Sequence, residues 1–92
     1  MLDKRCAQAI VANKNMAVPW FILASYAYYK EDDTILTDAA FDFLCKFLAH
    51  YWPEIVHRHK HLLHPGDFMT GSGFAIGYPS ITEGALKSLR NE

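Results

Sequence analysis

Apolar residues recur along this chain at helical spacing, and short polar clusters divide them into blocks. Asp3–Ala12 carries Cys6, Ile10 and Val11 on one expected apolar face and stops at Asn13-Lys14-Asn15, which predicts a first helix. Ala17–Lys30 is the most apolar block. Pro19 falls in its first turn, where a missing amide costs little. Thr37–Tyr51 sets Phe41, Leu44, Cys45 and Leu48 at helical spacing. Ahead of them, Thr37 is suited to cap the first free amides, and Asp38 suits the positive end of the helix dipole. Pro53 opens a further expected segment, Pro53–Leu63, with Ile55, Val56, Leu62 and Leu63 as its apolar contacts. Gly66, Gly71, Gly73 and Gly77 then punctuate a stretch that reads, over residues 65–79, as a Gly-rich loop with short extended pieces. Ser80 and Glu83 form a capping-box pattern ahead of a final helix over 80–90, although Gly84 weakens that segment. The fold class expected is mainly α: a compact bundle of four to five short helices, with the Gly-rich loop before the last, in a single domain over residues 1–92. There is no internal repeat and no low-complexity tract.

Length and composition narrow the function classes. A chain of 92 residues builds one modest core, and 51% hydrophobic with 14% aromatic residues favours a packed globule over disorder. A formal charge of −1 argues against a general nucleic-acid binder. The charges are unevenly placed. Glu31, Asp32, Asp33, Asp38 and Asp42 are five of the ten acids, whereas Arg58, Lys60 and all five histidines lie in residues 50–64. That distribution predicts a dipolar surface, more so at low pH. Cys6 and Cys45 lack Cys-x-x-Cys spacing and sit in apolar contexts, as expected of buried, reduced thiols. No secretory signal is visible, and the longest apolar stretch, Met16–Tyr29, is too short to span a bilayer. The expectation is a soluble cytoplasmic protein with no membrane contact.

The most distinctive chemistry lies at the junction of the second and third helices. Tyr28 and Tyr29 end one apolar, aromatic segment, an acidic turn containing Glu31, Asp32 and Asp33 follows, and Asp38-Ala39-Ala40-Phe41-Asp42 opens the next helix. Asp38 and Asp42 share a helix face, with Phe41 near its edge. Two carboxylates beside aromatic rings suit a planar cationic or polar ring, through stacking, cation–π attraction and ribose hydrogen bonds. The same residues also admit a plainer role, with Thr37 and Asp38 capping a helix and Tyr28 and Phe41 filling the core.

This stretch resembles the small N-terminal helical domain of NAD-dependent DNA ligases, whose pattern is Tyr-(Tyr/His), a short acidic turn, then Asp-x-x-(Tyr/Phe)-Asp. The resemblance covers residues 18–64, as a helical hairpin and a following helix, with Trp52-Pro53-Glu54-Ile55 as an approximate echo of the family's next turn. It implies that Tyr28, Tyr29, Asp38, Phe41 and Asp42 contact a nicotinamide ring, its ribose and its phosphate. Phe41 lacks the phenol usual at its position, which keeps stacking and removes one hydrogen bond. Ligase chemistry needs a Lys-x-Asp-Gly nucleophile motif, which this chain lacks, and there is no room for the remaining ligase domains. The expectation is therefore a protein that is not an enzyme and requires no cofactor.

Two other clusters carry weaker signals. If residues 53–63 and those just beyond formed one helix, His57, His61 and His64 would share a face at i, i+4 and i+7, as zinc ligands can, with His50 or Asp67 as further candidates. The plainer reading is a solvated basic face that is sensitive to pH or contacts anions. Thr70-Gly71-Ser72-Gly73-Phe74 lacks the Gly-Lys-Ser/Thr ending of a phosphate loop and reads as a loop, with Phe74 as a possible partner contact.

Two functions from different classes follow. The first is a non-catalytic module that binds nicotinamide mononucleotide or NAD through Tyr28, Tyr29, Asp38, Phe41 and Asp42. The second is a small phage or mobile-element interaction or inhibitor protein, in which Glu31, Asp32 and Asp33 dock on a basic host protein surface. Neither involves direct nucleic-acid binding.

Overall fold

The computed structural model describes residues 1–66, 78–79 and 81–90. Within them the chain forms four α-helices and no strand: α1 (Asp3–Ala12), α2 (Ala17–Lys30), α3 (Asp38–Tyr51) and α4 (Thr82–Arg90). Short 3-10 turns lie at Lys14–Met16, Trp52–Glu54 and Lys60–Leu62. The expected mainly helical bundle is therefore observed. The Gly-rich segment 67–77, with Asp67 and Phe74, lies outside the described residues, as does Ser80 of the expected capping box.

Helix α2 is the centre of the bundle. Ala17, Val18, Trp20, Phe21, Ile22, Ala24, Ser25 and Ala27 are all buried, so it is covered nearly all round, as its unbroken apolar sequence requires. The other three helices pack against it. Helix α1 contributes Cys6 and Ile10, four residues apart, while Val11, expected on the same face, is 81% exposed. A 100° step per residue carries Val11 away from the stripe that Cys6 and Ile10 define. Helix α1 ends where Asn13 becomes extended, and the Asn13 side chain accepts from the Asn15 amide at 3.1 Å to start the 3-10 turn that leads into α2.

Helix α3 begins as its sequence indicates. The Thr37 hydroxyl accepts from the Ala40 amide at 3.2 Å, and Asp38 occupies the first turn. Leu44, Cys45 and Leu48 form its buried stripe. Phe41 stacks on Phe21 of α2 with ring centroids 5.4 Å apart and planes 21° apart, which fixes how α3 leans on the central helix. Helix α4 buries Thr82 and Leu86.

Residues 53–63 do not form the expected helix. After the 3-10 turn the backbone becomes extended at Ile55, which is buried, as is Leu63. Side chains satisfy the backbone groups that a helix would have paired. The Lys60 ammonium donates to the carbonyls of Trp52 and Ile55, both at 2.9 Å, and lies 4.7 Å from the Trp52 ring centroid. The Asn15 side-chain oxygen accepts from the Val56 amide at 2.8 Å, and His57 Nδ1 accepts from the His59 amide at 3.1 Å. Such side-chain to backbone bonds compete directly with helix formation, and histidine and β-branched residues favour the helix weakly to begin with.

Candidate functional site

A cavity of about 190 Å³ opens between the end of α2 and the start of α3. Ala24, Tyr28 and Tyr29 line it from α2, and Asp38 and Phe41 from α3. Thr34, Ile35 and Leu36 line it from the connecting turn. Ala24 lies one helical turn before Tyr28, and its small side chain leaves space beside the rings. Ala24, Ile35 and Leu36 are buried and give the cavity an apolar lining, whereas Tyr28 is 56% exposed. The Tyr28 and Tyr29 rings meet edge to face, 4.8 Å apart at 79°. Phe41 is held by its stack on Phe21. The lining thus combines three aromatic rings with one carboxylate, Asp38, and no cationic side chain.

Tyr28, Tyr29, Asp38 and Phe41 are brought together at this cavity, and Asp42 is not among its lining residues. Asp42 lies one turn further along α3, exposed, where it pairs with Lys46 at 2.9 Å. Thr34, Ile35 and Leu36 were not identified from sequence. Their signal was available: two adjacent large aliphatics in an otherwise polar turn are a reason to expect a buried wall.

The turn itself is held from several directions. Asp32 adopts a left-handed conformation with φ 51°, one that aspartate tolerates better than most residues. The Asp33 amide donates back to the Ala27 carbonyl at 3.0 Å, and the Leu2 amide donates to the Ile35 carbonyl at 2.7 Å. Asp3 accepts from both the amide and the hydroxyl of Thr37. These two bonds, the hydroxyl's first, hold the Asp3 carboxyl below its ordinary range. Glu31 and Asp33 both pair with Arg90 at the end of α4. Two of the three acids expected to meet a basic partner are therefore engaged within the chain, and Asp32 stands between them at the surface.

The histidines do not converge. Because residues 53–63 do not form one α-helix, His57, His61 and His64 lack the shared face that a zinc site would need. Among the described residues no group of three or more His, Cys, Asp or Glu side chains is placed to hold a metal ion. His61 Nδ1 lies 2.9 Å from the Arg58 carbonyl, and His59 Nε2 accepts from Arg58 Nε at 3.2 Å. Burial, then His59 and Arg58, lowers the His57 pKa; burial, then Arg58 and His61, lowers that of His59. Positive charge at these two rings therefore develops only at more acidic pH than an ordinary imidazole would need.

Cys6 and Cys45 are free and buried, and burial pushes each thiol up to about 11, with Asp3 and Asp42 respectively adding to the effect. Such thiols are poor nucleophiles. Among the described residues no helix is long and apolar enough to cross a membrane. No family model, no curated protein and no solved structure matches this chain.

Proposed function

We propose that this protein is a non-catalytic binding module that receives a nicotinamide-type ring in the cavity between α2 and α3. One observation carries the reading. Four of the five residues assigned to the ligand through the ligase resemblance, Tyr28, Tyr29, Asp38 and Phe41, line a single cavity. Its chemistry suits a pyridinium ring, since aromatic faces attract a cation and the Asp38 carboxylate adds a full opposite charge. Its size sets a limit on what enters. Pockets for whole drug-sized ligands measure about 300–1,000 Å³, so 190 Å³ accommodates the ring and its carboxamide. The ribose and phosphate would then lie outside the cavity. Asp42, one turn beyond Asp38 and outside the lining, would meet only that outer part.

Stacking by the tyrosines and Phe41, charge from Asp38 and apolar contact with Ile35 and Leu36 are binding interactions without a nucleophile. The absence of a Lys-x-Asp-Gly motif from the sequence fits a module that binds without turnover. The cytoplasm, which keeps thiols such as Cys6 and Cys45 reduced, is the compartment that suits it. Docking of the acidic turn on a basic host surface is the weaker reading, because Arg90 already neutralises part of that charge.

Calorimetric and thermal-shift titrations with nicotinamide mononucleotide, NAD and AMP test the proposal, repeated on Tyr28→Ala. Saturable binding of the two nicotinamide ligands, lost in the variant, is the expected result. No binding at millimolar nicotinamide mononucleotide, or binding that Tyr28→Ala leaves intact, overturns it.

A further inference from the structure

We infer that Arg90, at the far end of the chain from α1, is a positioning residue for the cavity and acts through the turn that forms one of its walls. That turn supplies Thr34, Ile35 and Leu36 to the lining. Immediately before them, the Arg90 guanidinium holds both Glu31 and Asp33. Nη1 pairs with the Glu31 carboxylate, and Nη2 donates to the Asp33 carbonyl at 2.8 Å with the Asp33 carboxylate 3.4 Å away. The residue between the two, Asp32, is the one in the left-handed conformation.

A non-glycine residue at positive φ persists where its surroundings determine the backbone on both sides. Arg90 does this from outside the turn, and through a backbone carbonyl as well as through side chains. A planar fork can reach both partners at once, whereas a lysine ammonium concentrates its charge at one point. The Arg90 side chain is only 30% exposed, so the contact is less open to screening by salt than a fully solvated pair. Leu86 anchors the same helix in the core one turn earlier, which fixes where the guanidinium stands.

The arrangement couples α4 to the cavity. When Arg90 is seated, the chain leaves Asp33 on a defined path and presents Ile35 and Leu36 as a formed wall. When it is not, the turn gains freedom around Asp32, and its hydrogen bonds to Ala27 and Leu2 open more often. Such coupling is reciprocal, so a ligand in the cavity favours the seated state of α4 to the same degree. The acidic turn thereby has a task inside the molecule.

The test uses the full chain with Arg90→Met and Arg90→Lys, and reads amide hydrogen exchange residue by residue. In Arg90→Met, exchange at Asp33 and Leu2 should rise by about tenfold while Ile10 and Leu48 stay as in the parent protein, as local opening requires. Arg90→Lys, which keeps the charge and loses the fork, should also raise exchange at Asp33, and it carries the test if the methionine variant does not fold. Unchanged exchange at Asp33 and Leu2 overturns the inference, and so does a uniform rise across all helices, which would mark Arg90 as a general stabiliser. A second arm measures nicotinamide mononucleotide affinity, and this arm alone rests on the proposed function. Affinity should fall roughly threefold to tenfold in Arg90→Met, the lower range of couplings between linked sites. Raised exchange with unchanged affinity refutes the coupling to the cavity. Absence of binding by the parent protein refutes the proposed ligand, and the exchange arm still decides what Arg90 does.

Discussion

The Asp3 carboxylate binds both polar groups of Thr37, one oxygen accepting from its amide at 2.9 Å and the other from its hydroxyl at 2.6 Å. The same hydroxyl oxygen accepts from the Ala40 amide, so the residue that caps α3 is itself oriented by the first residue of α1. Cap geometry, usually a local matter, here ties two helices together across 34 positions of sequence.

Asp3→Ala should therefore destabilise the protein by about 1 kcal/mol, the usual scale for losing a cap or a charge-assisted hydrogen bond at a partly exposed site. Thr37→Ala should cost a similar amount. The double variant should cost less than the sum, because both changes remove the bond between the Thr37 hydroxyl and the Asp3 carboxylate. Urea unfolding of the four proteins measures this, and strict additivity would show that the pair contributes nothing jointly.

Acid should act on the same contact. The folded-state pKa of Asp3 lies below its ordinary 3.8, so the unfolded chain takes up this proton first as pH falls. The stabilisation is complete above the unfolded value and is lost as pH drops through the folded one. Asp3→Asn should flatten the stability profile below about pH 5 relative to the parent protein, because a group that does not titrate contributes no slope. A difference curve from urea melts between pH 6 and 2.5 reads it directly.

Gly84 lies in the first turn of α4, exposed, and an added Cβ would meet nothing within 4 Å. Alanine there should stabilise the protein by about 0.5–1 kcal/mol through helix propensity and the narrower unfolded ensemble. For a domain of this size that corresponds to a rise in Tm of roughly 2–8 °C. Because α4 carries Arg90, the gain should also slow exchange at Asp33. A fall in Tm would show that α4 is strained at this position.

The buried thiols set an alkaline limit. Cys6 and Cys45 ionise near 11 when folded against an ordinary 9.0, so between these values the unfolded chain releases protons that the folded one keeps. Stability should fall as pH rises through that window and should be unaffected by the thiols below it. Comparing the parent protein with Cys6→Ala/Cys45→Ala at pH 8 and pH 10.5 isolates the effect. The variant begins lower because of the lost packing, and its further loss on going to pH 10.5 should be smaller.

Much of this fold is written locally. Asn13, Pro19, Thr37 and Asp38 mark helix ends by mechanisms that act within a turn, and the end of α1 and the starts of α2 and α3 fall where those residues indicate. The side chains of Tyr28, Asp38 and Phe41 flank such a junction, so their proximity could be read from sequence as well. Residues 53–63 could not be read in this way. Their backbone is satisfied by Lys60 and by Asn15, the latter 41 positions from its partner Val56, and no windowed pattern contains that information. Val11 failed for a related reason, since a short helix shows only its most central stripe to the core. Arg90 is the clearest case of the limit: a charged residue on a C-terminal helix reads as solvated until the fold brings Glu31 and Asp33 to it.

The fastening of one turn by Leu2 and Asp3 on one side and Arg90 on the other has a consequence for biosynthesis. A chain leaving the ribosome in order can pair α1, α2 and α3 while α4 is still inside the tunnel. The cavity wall is then tethered on one side only. Its final shape waits for α4 to emerge, so the wall is completed only after the helices it joins have already paired.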